Sequence, residues 1–439
     1  MRKIKKKHKP RLHLSYWLII IAIIWPELVL TQPITEMYGQ LHRSSLIEAE
    51  KIHLHLPGGN ISFNVFVQKL EKLSLGKVGK INLVHIGGSH VQGGTLPNTI
   101  RNNLVHLHPQ FFGERGLIFP YKMAETNNPA DFKTTFTGEW HGHRSSVPGH
   151  FAEFGLCGIT ATTYDPEATF SVQLFPLNSR EYFFDRVRIY HPFGPQYMKP
   201  VWTGQEDVII TWENPTVGYT EFVLENATTS NQFALRSYVD SAQKFVLQGI
   251  QFFLDKPSLV YHAIGVNGAN TSSYLREPDF ARQVRLLRAD VVIFGIGIND
   301  ANVPFGKFDK EQFKSNYEKL MDIFKKGNRD VFFIFLTNTD SYYQKKYPNK
   351  NALLAREAVY ELATKYKAGV IDVFEIMGGL GSSKRWRQAG MMSADLVHFT
   401  PKGYELLGHA ISAAIINRIA NHLHRSTSFN TLKNVELVH

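Results

Sequence analysis

Five short apolar runs rich in Val, Ile and Phe lie at 81–86, 258–265, 290–296, 330–336 and 369–373. Runs of this length, bounded by Gly, Asn, Asp or Lys, read as strands buried on both faces. In the second half they alternate with stretches of helical apolar period near 310–326, 352–367 and 402–423, and a similar stretch near 63–74 precedes the first run. Strand and helix in alternation predict a parallel sheet covered on both sides, an α/β core.

The rhythm breaks between about 130 and 256. There "TATTYDPEATFSVQLF", "DRVRIYHPF", "DVIITWE", "TEFVLENA" and "KFVLQGIQFFLD" alternate polar and apolar residues between turn signals, with no helical period. This predicts an all-β sandwich inserted into the α/β part. The expected layout is a lead-in at 32–76, the α/β domain at 77–130 and 257–424, the insertion at 131–256 and a loose tail at 425–439.

The chain of 439 residues is 43% hydrophobic and 20% charged, an ordinary globular balance with ample core. Its net charge of +11 suggests phosphate binding until the charges are located, for Arg2, Lys3, Lys5, Lys6, Lys7, Lys9 and Arg11 supply seven of them with no acid among them. The remainder carries +4, so no nucleic-acid partner is implied. The basic stretch precedes "LSYWLIIIAIIW", a short apolar segment ended by Pro26 and Glu27, with Val29 and Thr31 ahead of Gln32. Residues 1–31 therefore read as a secretory signal or, if uncleaved, an N-terminal membrane anchor at 14–25. Export to a periplasm or cell envelope is expected. Cys157 is the single cysteine, which excludes an intramolecular disulfide and a thiolate metal cage.

Candidate chemistry begins where the first predicted strand ends, in "VHIGGSHVQGG". Ligands of open α/β sheets gather at the carboxyl ends of strands. Ser89 stands there as a candidate nucleophile, flanked by glycines that permit a tight turn; a Gly/Ser loop that caps a helix is the plain alternative. A hydroxyl needs a base and the base an orienting partner. "SADLVHFTPKGYELLGHAI" offers both, Asp395 and His398, three residues apart ahead of Pro401. With 19 histidines in the chain, such a pair also fits a surface turn. "VVIFGIGIND" ends a strand with Asn299, an amide able to donate to an oxyanion, and "AIGVNGANTSS" ends another with Gly268, a candidate backbone donor.

These four stretches, in this order, resemble the motif blocks of the SGNH, or GDSL-type, hydrolase superfamily over about 80–125 and 258–420. The resemblance implies a flavodoxin-like three-layer α/β/α fold, with Ser89 as nucleophile, Asp395 and His398 completing a triad, and an oxyanion hole of Ser89, Gly268 and Asn299. It implies neither cofactor nor metal. One position departs from the pattern: Gly88 stands where the family usually has Asp. "FGERGLIFPYKMAETNNPADF" followed by a β-rich insertion further resembles exported bacterial esterases related to peptidoglycan O-acetylesterases, whose inserted jelly-roll module resembles carbohydrate-binding domains. The implied activity is hydrolysis of O-acyl, in particular O-acetyl, esters on a cell-envelope or other polysaccharide. An O-acetyltransferase using the same triad, and a catalytically degenerate glycan-binding protein, are the alternatives. His90, Gln92 and Trp386, with Arg385 and Arg387, are candidate substrate contacts. Trp202, Trp212, Tyr182, Tyr190, Tyr197 and Tyr219 of the insertion are read mainly as sandwich core.

Overall fold

The computed structural model describes residues 32–109, 111–175, 182–237, 243–276 and 278–436, with side chains as far as residue 424. The expected signal or anchor, residues 1–31, lies outside the described residues, and no described helix is long and apolar enough to cross a membrane.

Seven strands form the central sheet: β1 (Leu54–His55), β2 (Lys80–Gly87), β3 (Phe112–Glu114), β4 (Ser258–Gly265), β5 (Val291–Gly295), β6 (Phe332–Leu336) and β7 (Gly369–Ile371). Their spatial order is β1-β7-β6-β5-β2-β4-β3, parallel throughout except for β1, which pairs antiparallel with β7 at one edge. Read from β2 to β7 without β3, the core follows the flavodoxin-like order 2-1-3-4-5. β2 sits centrally because Ile81 and Leu83 are buried toward one face while Val84 and Ile86 are buried toward the other.

On the first face lie α1 (Gln32–Arg43), α2 (Ile61–Ser74), α3 (Thr95–Val105) and α6 (Pro401–Glu436). α4 (Lys310–Lys325) and α5 (Asn351–Tyr366) cover the second. The lead-in is part of the core, since α1 buries Ile34, Met37, Tyr38 and Leu41 and β1 extends the sheet. The expected tail differs too. Nothing after Gly408 breaks the helical run, and the backbone of α6 continues to Glu436.

Between β3 and β4 the chain builds an antiparallel β module. Lys199–Trp202, Ser230–Arg236, Thr169–Leu174 and Phe132–Phe136 form a four-stranded sheet. It faces a five-stranded sheet of Val208–Asn214, Tyr219–Thr228, Phe184–Tyr190, Gly249–Phe253 and Leu117–Ile118. Phe233 of the first sheet meets Phe222 of the second with ring centroids 5.6 Å apart, and alternate residues such as Phe170, Val172 and Leu174 fill the space between. A third sheet of His141–Arg144, Ile159–Thr163 and Phe245–Leu247 completes the module. Leu117–Ile118 pairs with Ile250 and Gln251, so the module's sheet reaches back across the border expected at 131. Tyr182 and Tyr190 are buried in it, whereas Trp212 is 63% exposed on an edge strand.

Candidate active site

β2 and β5 are hydrogen-bonded neighbours whose connections leave in opposite directions, so the crevice at their carboxyl ends is the switch point of the sheet. Ser89 follows β2 and Asn299 follows β5 at that rim. The turn after β2 is tight because Val91 folds back over it. A Cβ on Gly87 would stand 2.2 Å from Val91 Cγ2 and 3.0 Å from the Gly295 carbonyl, so only glycine fits there.

The structure brings Ser89, His398 and Asp395 together. Asp395 Oδ2 can only accept, so the 2.7 Å contact to His398 Nδ1 places the ring proton on Nδ1. Nε2 is then left bare to accept the Ser89 hydroxyl, 2.7 Å away. Asp395 Oδ1 accepts the backbone N–H groups of Val397 and His398, each at 3.0 Å, which fixes the carboxylate against the turn that carries the imidazole. Burial raises the affinity of Asp395 for a proton, but the His398 ring and these two N–H groups outweigh it and hold the carboxyl below its ordinary range. The turn is closed by Leu396 in the left-handed region at φ +57°, anchored by its buried side chain and by the Tyr342 N–H donated to its carbonyl.

Three donors border this hydroxyl's end of the crevice. Among the described residues the backbone N–H groups of Ser89 and Gly268 have no protein acceptor, and Gly268 is held at φ +80°. Asn299 donates one Nδ2 hydrogen to the Ala269 carbonyl at 2.8 Å, which orients the amide and leaves its second hydrogen free. A Cβ on Gly88 would lie 3.3 Å from the Ala269 oxygen and 3.4 Å from Asn299 Nδ2. The absence of a side chain at position 88 therefore leaves the Asn299–Ala269 contact unpressed.

His90 packs behind the relay. Its ring lies 5.5 Å from that of His398 and its Nδ1 meets the Tyr404 hydroxyl at 2.8 Å. Burial, helped by the neighbouring His398, brings its pKa down to about 3, so the ring is neutral. It lines, with Ile298, Asn338 and Tyr404, a cavity of about 40 Å³.

Two expected substrate contacts are corrected. Gln92 is 1% exposed, with Nε2 donating to Thr126 and Asn127 and Oε1 accepting the Asn267 N–H, so its polar atoms are spent inside the protein. Trp386 is fully buried, its Nε1 donating to the Met377 carbonyl and its ring packed edge-on against Phe399. It supports the residue next to His398 and offers no surface to a ligand. Arg385 reaches the Met377 carbonyl and Glu48 on the outside of the same short helix.

Several residues around the site carry no signal in the sequence. Asp300 accepts both the N–H and the hydroxyl of Thr271, tying the β5 loop to the loop after β4. Its burial pushes the pKa up to about 6 against the lowering effect of those bonds. Asn338 donates to the Gly297 carbonyl at 3.1 Å. No run of residues marks these contacts in advance, because each partner belongs to a different loop.

Outside this crevice, a cavity of about 650 Å³ opens at the amino ends of the strands, between α3 and the module, lined by residues such as His106, Phe112, Phe183 and Lys256. Tyr182 of the module lines it, but Ser89, Gly268, Asn299, Asp395 and His398 do not. Among the described residues no group of three or more His, Cys, Asp or Glu side chains is placed to hold a metal ion.

The parallel sheet with its added antiparallel module is an SGNH-like α/β fold. Residues 232–406 match the model of the GDSL-like Lipase/Acylhydrolase family, a span that holds Gly268, Asn299, Asp395 and His398, while Ser89 lies ahead of the inserted strands. Over that span, about two fifths of the chain, the sequence is similar to this GDSL-like, or SGNH, family. Among solved structures it is similar to one described as "Peptidoglycan O-acetylesterase in action, 5 min", at 17% identity and TM-score 0.68, covering 84% of this chain and 99% of the other. At that identity the likeness is one of fold, and it includes the β module. A lipase/acylhydrolase from Enterococcus faecalis (21% identity, TM-score 0.29, 38% of this chain and 77% of the other) also matches. So does an acetyl xylan esterase (17%, 0.28, 35% and 79%). No curated protein matches the chain significantly.

Proposed function

We propose that this protein is a serine esterase that removes O-acyl, in particular O-acetyl, groups from a cell-envelope polysaccharide, after export to the periplasm or cell envelope. The observation that carries the reading is the relay itself: two 2.7 Å contacts link Ser89, His398 and Asp395 at the switch point of the sheet. The site is open, with the His398 and Asp395 side chains 42% and 33% exposed, which suits an ester carried on a polymer better than a ligand that must be engulfed. The resemblance of 84% of this chain, β module included, to a fold found in a peptidoglycan O-acetylesterase supports an acylated glycan as substrate.

In this mechanism His398 Nε2 takes the Ser89 proton as Oγ attacks the ester carbonyl, and Asp395 stabilises the imidazolium that forms. The carbonyl oxygen becomes an oxyanion facing the N–H groups of Ser89 and Gly268 and the free Asn299 hydrogen. His398 returns its proton to the departing sugar hydroxyl, giving an acyl-serine. It then deprotonates water, which releases the carboxylic acid and restores Ser89. The chain's own groups supply every proton transfer.

The test is mass spectrometry of O-acetylated envelope glycans incubated with the protein, alongside acetate assay. Wild type is expected to release acetate and Ser89→Ala to release none while folding normally. Acetyl groups moved to an added sugar acceptor without free acetate would identify an acyltransferase instead. Equal acetate release by both proteins would reject Ser89 as nucleophile.

A further inference from the structure

We infer that Ser146, a residue of the inserted β module, is a positioning residue that sets the direction of the Gly268 N–H donor; the inference rests on the esterase reading of the same site. The Ser146 hydroxyl donates to the Asn267 carbonyl at 2.6 Å. That carbonyl and the Gly268 N–H belong to one peptide unit. In a planar trans peptide the two groups point in opposite directions, so holding one aims the other.

The hold matters because of where the peptide sits. Gly268 is exposed, at φ +80°, with no Cβ to restrict it, and a glycine peptide of this kind turns over at little steric cost. The Asn267 side of the loop is already fastened: its N–H goes to Gln92 Oε1 at 2.7 Å, and its Nδ2 to Thr126 Oγ1 and Asn127 Oδ1 at 3.0 and 2.8 Å. On the far side Asp300 takes the Thr271 N–H. The Asn267–Gly268 peptide between these anchors has Ser146 as its tie. A donor on the carbonyl also polarises the peptide and strengthens its N–H as a donor.

Ser146 is itself placed by design of the loop around it. Residues 145–150 follow the module strand His141–Arg144, and the Arg276 guanidinium collects four of their carbonyls: Ser145 at 2.5 Å, Val147 at 3.1 Å, Pro148 at 3.4 Å and His150 at 2.9 Å. Arg276 lies eight residues after Gly268, on the 3-10 turn Ser273–Arg276 that leaves the same loop. The hydrolase domain thus grips the module's loop, and the loop returns a hydroxyl to the oxyanion peptide. The module is part of the catalytic geometry and not only an appendage beside it.

The experiment compares wild type, Ser146→Ala and Ser146→Thr as full chains, reading kcat and KM on p-nitrophenyl acetate, thermal midpoint, and labelling of Ser89 by a fluorophosphonate. Deleting a whole oxyanion donor costs about 100- to 1000-fold, so loosening one donor should lower kcat by about tenfold. KM and the thermal midpoint of Ser146→Ala should stay near wild type, and Ser146→Thr, which keeps a hydroxyl, should recover most of the rate. Ser146→Ala with kcat within about twofold of wild type would overturn the inference. So would a loss that tracks a fallen thermal midpoint and that threonine does not restore. A wild type that neither turns over nor is labelled would overturn the esterase reading, and this inference with it.

Discussion

Replacing Asp395 by Asn tests the relay at the residue that sets the tautomer of its base. In the wild type Oδ1 holds the N–H groups of Val397 and His398 while Oδ2 faces His398 Nδ1 at 2.7 Å. An Asn side chain that keeps its carbonyl oxygen on those two N–H groups must turn its NH2 toward Nδ1. Two donors cannot face each other, so the ring moves its proton to Nε2 and presents N–H to Ser89, where a base is required. The charge is lost as well. At an effective dielectric of about 20 and about 4 Å between charge centres, the carboxylate stabilises an imidazolium by about 4 kcal/mol. Solvent around this part-exposed pair reduces that to about 2–3 kcal/mol, or roughly 100-fold in rate. The wrong tautomer adds a similar factor, giving a fall of about 10³- to 10⁴-fold in kcat, the range such a change produces in serine relays. Asp395→Ala removes the charge without imposing the tautomer and should therefore retain more activity than Asp395→Asn. Steady-state kinetics on p-nitrophenyl acetate, with circular dichroism to check folding, decide the matter. A folded Asn variant within tenfold of wild type, or one more active than the Ala variant, would refute the reasoning.

Other outcomes follow from packing and burial. Gly87→Ala puts a Cβ 2.2 Å from Val91 Cγ2 and 3.0 Å from the Gly295 carbonyl, so we expect about 1–3 kcal/mol of destabilisation and displaced Ser89, read as a lower thermal midpoint with a lower kcat. His85, His191 and His262 are wholly buried, and burial lowers the pKa of each to about 3. Unfolded chains bind these protons near pH 6.5, so between about 6.5 and 3 the unfolded state holds more protons and stability falls as pH falls. Well below 6.5 the slope approaches about 1.4 kcal/mol per pH unit for each ring. Melting at pH 7 and pH 5 should show a steep drop, and His191→Gln, which can still bond Thr220 and the Pro192 carbonyl, should flatten it; a midpoint independent of pH over this range would contradict the assignment.

How much of this was legible in the sequence depended on how local each signal is. Strands such as β5 and β6 announce themselves because both faces are buried, leaving unbroken apolar runs. Asp395 and His398 are readable because three residues of separation on a turn place them side by side whatever else the chain does. α3, at Thr95–Val105, escapes the same reading. Its buried positions include Asn98, Arg101, Asn102 and Asn103, so no apolar period marks it; Asn103 Nδ2 instead donates to His409 and Ser412 on α6, and Arg101 donates to Asn98.

Gln92 and Trp386 illustrate the opposite failure. Their residue types and their nearness to the motifs suit ligand contact, but accessibility is a property of what packs over a side chain, which neighbours in sequence do not reveal. The amino-acid order by itself determined the α/β rhythm, the β insertion and the chemical types available at each strand end, because these follow from hydrophobic period and side-chain chemistry. Only the tertiary structure decided that Ser89 meets His398 across 309 residues and that Ser146 reaches the Asn267 carbonyl across 121. Such meetings are fixed by strand order and by the packing of helices and module on the sheet, and no local pattern encodes them.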